Sequence, residues 1–395
     1  MAGTGAAAVP TARRWTSVAG AWMGIGTSPG ALLLGAGIAA RHHGPVPLFS
    51  ILVGLALLFT IVWFQGRLGL APPHGDGGNL TQIAPLYLDP FMHKLLGALI
   101  AIGMTGWFGF NVGLGGAALS ALLNWPQWLA VLVIGAPILA LSLRGIQGWN
   151  GLATLTTISV VILIVLVVTR LAARAWPFTL GLGDPLQMVT DVAVMIGYIA
   201  VFTVRAPDFT AGMAEIKDLN IAGMLLCVPL IATVLAGVSL QQGTSSADLV
   251  GVLAGPHGLA LGNLLITLAV IAPTFTTFYS GVPALRTATG LGEYPAMLSM
   301  GVIGLGLAMA RFDLWLLAWL GILGAMLPPI VVPLAFESTL RRMGHTPRRI
   351  PIWVWLSSAL VALGLTLAHH PLALLAGLIT AALATGAWYL TRHRS

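Results

Sequence analysis

The sequence predicts an all-α integral membrane protein of twelve transmembrane helices, and three observations carry that prediction. Only 7% of its 395 residues are Asp, Glu, Lys or Arg, where soluble domains carry roughly 25%. Apolar residues make up 57%, and mean hydropathy is +0.94. The apolar runs continue for about 20 residues, enough for a helix to cross a ~30 Å hydrocarbon layer; barrel strands would alternate over about 10. A soluble enzyme, a nucleic-acid binder and a disordered chain are excluded together.

Breaks at Pro, Gly and charge clusters set the spans at about 16–40, 46–66, 94–123, 127–143, 149–173, 187–207, 220–241, 258–284, 295–311, 314–336, 351–369 and 371–391. The first follows Arg13-Arg14 and is too long for a signal-peptide core, so it is read as retained. The third and eighth exceed one crossing and must tilt, kink or protrude. The fourth, between Trp125-Pro126 and Arg144, is short. No linker or composition shift divides the chain, so residues 1–395 form one transmembrane domain. Gly26 to Gly197 is 171 positions, and Trp107 to Thr276 is 169. Offsets that nearly agree suit two five-helix repeats, about 16–173 and 187–336, followed by two extra helices at 351–391.

Counted over twelve crossings, 14 of the 18 Lys and Arg fall on the face of the N-terminus; Arg41, Arg170, Arg174 and Arg311 fall on the other. The positive-inside rule then puts both termini in the cytoplasm. The Ala- and Gly-rich composition, without a targeting tail, suggests a bacterial inner membrane. Basic residues scattered at span ends form no stripe, so no nucleic-acid partner is expected. The single Cys227 lies in an apolar run and reads as a small core hydrophobe. Oligomeric state is left open.

All nine His sit in loops or at span ends, and of the acids only Asp191, Asp208 and Glu337 approach membrane depth. Catalysis within the membrane would need titratable groups near the midplane, so the chain does not read as an enzyme, and no cofactor is expected. The midplane instead carries helix breakers. Span 1 contains Gly24-Ile25-Gly26-Thr27-Ser28-Pro29-Gly30, and span 6 contains Gly197 and Ala206-Pro207-Asp208. Interrupted spans in matched positions point to a transporter site, although glycines also serve plain helix packing. In span 3, Trp107 and Asn111 share a face one turn apart, suited to stacking on a planar heteroaromatic and bonding its edge. In span 8, Pro273 frees a carbonyl beside Thr276 and Thr277, hard oxygen ligands for a small cation. An aromatic packing knob and threonines bonded to their own helix are the respective alternatives.

At Gly106-Trp107-Phe108-Gly109, Gly197-Tyr198, Pro207-Asp208-Phe209-Thr210 and Thr276-Thr277 the sequence resembles the nucleobase–cation symporters of the cytosine/purine permease family. The resemblance implies a leucine-transporter-type inverted repeat of five plus five helices, with two more at the C-terminus and alternating access around spans 1 and 6. It implies a substrate site at Trp107, Asn111, Gly26, Thr27, Tyr198, Ile199, Phe202 and Phe278. It further implies Na⁺ as coupling ion, held by the hydroxyls of Thr276 and Thr277 and carbonyls near Met23, Gly26 and Pro273. Departures are Ile199, where relatives carry a second aromatic, Phe278-Tyr279 after the Thr pair, and Ala211 after Thr210, with Arg205 one turn before Asp208. The expected function is import of a nucleobase or related planar N-heterocycle with Na⁺ or H⁺. Alternatives are coupled transport of another small solute, such as a hydroxymethylpyrimidine-, allantoin- or vitamin-like one, and passive facilitation.

Overall fold

In lipid every backbone N–H and C=O must be satisfied within the protein, and the twelve apolar runs are accordingly helical. A computed structural model describes residues 13–144, 149–172, 175–255 and 259–392. Arg174, Arg394 and the expected span limits at 173 and 258 lie outside them. Span 1 is Ala19–Gly26 plus Pro29–Ala39, span 2 Leu48–Gly69, span 3 Pro90–Leu123, span 4 Gln127–Leu143 and span 5 Trp149–Arg170. Span 6 is divided into Pro185–Tyr198, Ala200–Val204 and Ala206–Thr210; span 7 is Ile216–Thr244. Span 8 is Leu261–Ala269 plus Ile271–Thr289, span 9 Glu293–Met309, and span 10 Leu316–Met326 plus Val331–Arg342. Spans 11 and 12 are Ile352–Leu367 and Ala373–Arg392.

Spans 3, 6, 7 and 9 start earlier than the apolar pattern predicts, and in spans 3 and 6 a cap-and-proline pair extends the helix. Asp89 accepts from Met92 N ahead of Pro90, and Asp184 accepts from Leu186 N ahead of Pro185. Both are aspartate N-caps followed by a proline whose missing N–H costs nothing there. The sequence reading also missed a short helix, Leu80–Tyr87, between spans 2 and 3. Its signal was the reciprocal capping box of Asn79 and Gln82. The loops before spans 2 and 6 meet in a two-residue parallel ladder, Val46–Pro47 with Phe178–Thr179.

Span 3, 34 residues long, packs against spans 4, 8 and 9. Span 7 packs along both pieces of span 1, span 2 along span 6, and spans 11 and 12 pair beside span 10. The site lies where these two groups face each other. Backbone-to-backbone approach sets the contact of spans 1 and 7: a Cβ at Gly237 would stand 2.0 Å from the Leu32 carbonyl oxygen, and one at Gly35 2.0 Å from that of Val234. Glycine permits this distance and no other residue does.

Gly237→Val should therefore lower the thermal unfolding temperature of the purified protein by several degrees, from an overpacking cost of roughly 1–3 kcal/mol. Gly386→Ala, where an added Cβ meets nothing within 4 Å, should leave it unchanged or slightly raised. Equal behaviour of the two variants would contradict the packing described.

Candidate functional site

Span 1 breaks because Pro29 has no N–H and forces extended backbone on the residue before it; Ser28 has φ −61° and ψ 143°. Both the Thr27 N–H and its hydroxyl donate to the Met23 carbonyl at 2.8 Å, closing the first half-helix. Ser28 Oγ accepts from Gly30 N at 3.3 Å and caps the second. A negative helix end and a positive one thus meet in the interior. In span 6 the interruptions fall at Ile199, with φ −118° and ψ 22°, two residues beyond Gly197, and at Arg205, with φ −91° and ψ 10°, directly before the expected Ala206-Pro207 break. Gly197 is engaged elsewhere: a Cβ there would lie 2.5 Å from the Leu320 carbonyl oxygen of span 10. The Tyr198 hydroxyl lies against the start of the second half of span 1, 3.2 Å from where a Cβ on Gly30 would stand, so the interruption of span 1 and that at Ile199 sit side by side.

Between spans 1, 3, 6 and 8 lies a cavity of about 10 Å³, roughly the room of one water molecule. Trp107, Asn111, Tyr198, Ile199 and Phe202 border it, together with Ile25, Ser28 and Pro273. The Trp107 ring meets those of Phe110 and Tyr198 edge to face, each at 5.3 Å and 89°, and Phe202 at 6.3 Å and 52°. Trp107 Nε1 and Asn111 Oδ1 are buried without a hydrogen-bond partner. One free donor and one free acceptor, a helical turn apart, form a two-point edge for a polar ring. A ring enters only if the aromatic side chains part.

Three residues expected in the substrate site stand off this cavity. Gly26 faces span 7, where a Cβ would meet the Leu226 carbonyl oxygen at 2.4 Å. The Thr27 hydroxyl is turned back onto Met23. Phe278 packs behind the site, its ring 5.0 Å from that of Phe108. Ile25 and Ser28 border the cavity instead; a serine directly before a mid-span proline was the available signal.

Span 8 bends at Val270, ahead of Pro273. Thr156 of span 5, fully buried, enters the gap: its hydroxyl accepts from Ala272 N at 3.2 Å and donates to the Leu268 carbonyl at 3.3 Å. Sequence reasoning missed this residue, since nothing local to span 5 marks it. One turn on, Thr276 Oγ1 donates to the Pro273 carbonyl and Thr277 Oγ1 to that of Thr274, both at 2.6 Å. Each hydroxyl oxygen keeps a lone pair, so bonding to its own helix leaves it able to ligate a hard cation. The Met23 carbonyl already accepts two bonds from Thr27, so ligation there would displace the Thr27 hydroxyl.

The three acids at membrane depth are all paired. Asp191, fully buried, binds Arg41 Nη2 at 2.8 Å and His42 Nε2 at 2.9 Å, and accepts from Ser50 at 3.3 Å. It ties the C-terminal end of span 1 and the start of span 2 to span 6. Asp208 pairs with Arg205, both buried, and accepts from Leu80 N at 2.9 Å. Glu337 pairs with Arg341 at 3.0 Å, and Arg341 lies 4.0 Å over the Tyr87 ring. Burial holds the Tyr87 phenol above its usual range, keeping it a donor to Asp76 at 2.7 Å.

Solved structures share this architecture. Mhp1, a nucleobase-cation-symport-1 family transporter in a closed conformation with bromovinylhydantoin bound, matches with TM-score 0.68 and 16% identity over 93% of this chain and 90% of that one. Mhp1 in its inward-facing conformation matches with 0.67 and 16% over 99% and 96%. A mutant of the manganese transporter of Eremococcus coleocola matches with 0.59 and 13% over 94% of each chain. No protein-family model and no curated protein matches the chain. The fold is the one these multi-pass membrane proteins share, in agreement with the architecture the motif resemblance implies.

Asp191→Ala should destabilise the protein by a few kcal/mol, somewhat below the ~3–5 kcal/mol of breaking a fully buried pair, because Arg41 is 28% exposed. Arg286→Ala, which removes a surface pair with Glu293, should change little. Thermal unfolding of both variants in detergent checks the contrast.

Proposed function

We propose that the protein is a secondary transporter that imports a nucleobase or related planar N-heterocycle together with a cation, by alternating access. The observation that carries this reading is the pair of buried, unpartnered atoms, Trp107 Nε1 and Asn111 Oδ1, on a cavity walled by aromatic rings between two broken helices. Each unmade bond costs about 1–3 kcal/mol, which a ligand with one acceptor and one donor on its edge would recover. Tyr198 and Phe202 would flank the ring as Trp107 stacks on it. Ile199 keeps this wall apolar on one side.

Na⁺ is the preferred coupling ion over H⁺. Oxygens of Thr276, Thr277, Gly26 and Pro273 would hold it, and none of these groups titrates. An ion held in this way would tie span 1 to span 8, and ion and substrate together would favour closure. A face rich in Arg and Lys would be cytoplasmic and carry both termini, in a bacterial inner membrane. Manganese transport, the function of one structural relative, is less well supported: among the described residues no three His, Cys, Asp or Glu gather around one point. Coupled transport of a different flat solute fits the same walls.

A thermal-shift screen of purified protein with nucleobases and related heterocycles, in Na⁺ or choline, tests the reading by mass action. A base that stabilises more in Na⁺ is expected. Stabilisation only by non-planar solutes, or by Mn²⁺, would overturn it. Trp107→Ala should weaken binding of the identified ring about 5- to 150-fold, the worth of one stacked base at ~1–3 kcal/mol. Thr276→Ala and Thr277→Ala should each raise the Na⁺ concentration needed for half-maximal uptake by about tenfold or more, from loss of one charge-bound oxygen at ~1.5–3 kcal/mol. Unchanged Na⁺ dependence would remove the ion from this position.

A further inference from the structure

A second cavity, of about 530 Å³, opens on the outer surface between spans 2, 10 and 12. That volume is in the range of about 300–1,000 Å³ of small-molecule sites. Its walls are apolar: Ile61 and Phe64 from span 2, Val331, Val332 and Phe336 from span 10, Leu378 from span 12. The hydroxyls of Thr60 and Thr385, also on the wall, donate to their own helices at Ala56 and Ala381. The slot therefore offers no free donor along its length, and it lies within spans that face the hydrocarbon layer.

Its mouth is different. Thr339 borders the slot, and Arg342 Nη2 donates to its hydroxyl at 3.2 Å. Arg67, three residues beyond Phe64 in span 2, stands one turn nearer the same end of the slot, where spans 2 and 10 pack together. Arg67 contacts only uncharged groups in the described structure, the His74 carbonyl at 3.4 Å and the Trp63 ring at 5.3 Å. Among the described residues no carboxylate comes within 4.0 Å of either guanidinium. The carboxylate of Asp76 is engaged by the Tyr87 hydroxyl at 2.7 Å.

Two like charges beside an apolar slot at membrane depth are complementary to an acidic headgroup on an acyl chain. We propose that this is a binding site for an anionic glycerophospholipid of the bilayer, with an acyl chain in the slot and the phosphate between Arg67 and Arg342. Guanidinium forks suit phosphate oxygens. A zwitterionic headgroup brings its own cation to the same place and is less favoured. Pro328, which starts the irregular turn Pro328–Ile330 of span 10, also borders the slot, so the acyl chain would pack against that turn.

Dioleoyl phosphatidylglycerol and dioleoyl phosphatidylcholine, added separately to the full chain in a neutral detergent, test this by thermal unfolding. The phosphatidylglycerol should raise the unfolding temperature by several degrees more. Arg67→Gln with Arg342→Gln should abolish that difference while keeping the gain common to both lipids; the corresponding Lys pair should preserve it. Arg349→Gln, in the exposed loop that follows, should also preserve it. Equal gains from the two lipids in the wild type, or a preference that survives the double Gln variant, would overturn the proposal. So would an equal shift from inorganic phosphate, which would make the mouth a free-anion site. Native mass spectra with two copies and no retained lipid would assign the slot to self-association instead.

Discussion

No water reaches the centre of a bilayer to rescue an unpaired backbone group, so every interruption of a spanning helix has to be mended by the protein's own side chains. Spans 1, 6 and 8 are all interrupted, and the mends are hydroxyls. Thr27 returns to the Met23 carbonyl, Ser28 caps the second half of span 1, and Thr203 donates to the Ala200 carbonyl. Thr156 crosses from span 5 into the bend of span 8. Because the mends are short and uncharged, the broken segments can come together without bringing charge to the midplane. The candidate cavity exists because these segments meet there.

Charge is kept to the two faces. Asp191 holds three elements together on one side, while Asp208 and Glu337 anchor spans 6 and 10 to the Leu80–Tyr87 helix on the other. Between them lies a zone of aromatic rings that holds the unpartnered Trp107 indole N–H and Asn111 amide oxygen. In that low-dielectric zone a hydrogen bond is strong and an unmet one is expensive.

Much of this architecture was legible in the sequence because it depends on local quantities. Span number follows from run length against membrane thickness, and the break in span 1 follows from a proline's missing N–H. The shared face of Trp107 and Asn111 follows from helical period alone. The capped starts at Asp89-Pro90 and Asp184-Pro185 were equally local and show that apolarity alone misplaces a helix end.

Tertiary structure decided what depends on neighbours far along the chain. Gly26 and Gly197 could be read as sites of chain breakage, yet each is consumed by the close approach of another span's backbone, at Leu226 and Leu320. The break read at Gly197 accordingly moved to Ile199, and Ile25 with Ser28 turned to the cavity in place of Gly26 and Thr27. Thr156 carries no mark in its own helix; its role exists only because span 5 lies against the bend of span 8. The same holds for Arg41 with Asp191, 150 positions apart. Periodicity along one helix specifies which residues share a face, and only the packing of helices specifies what that face meets.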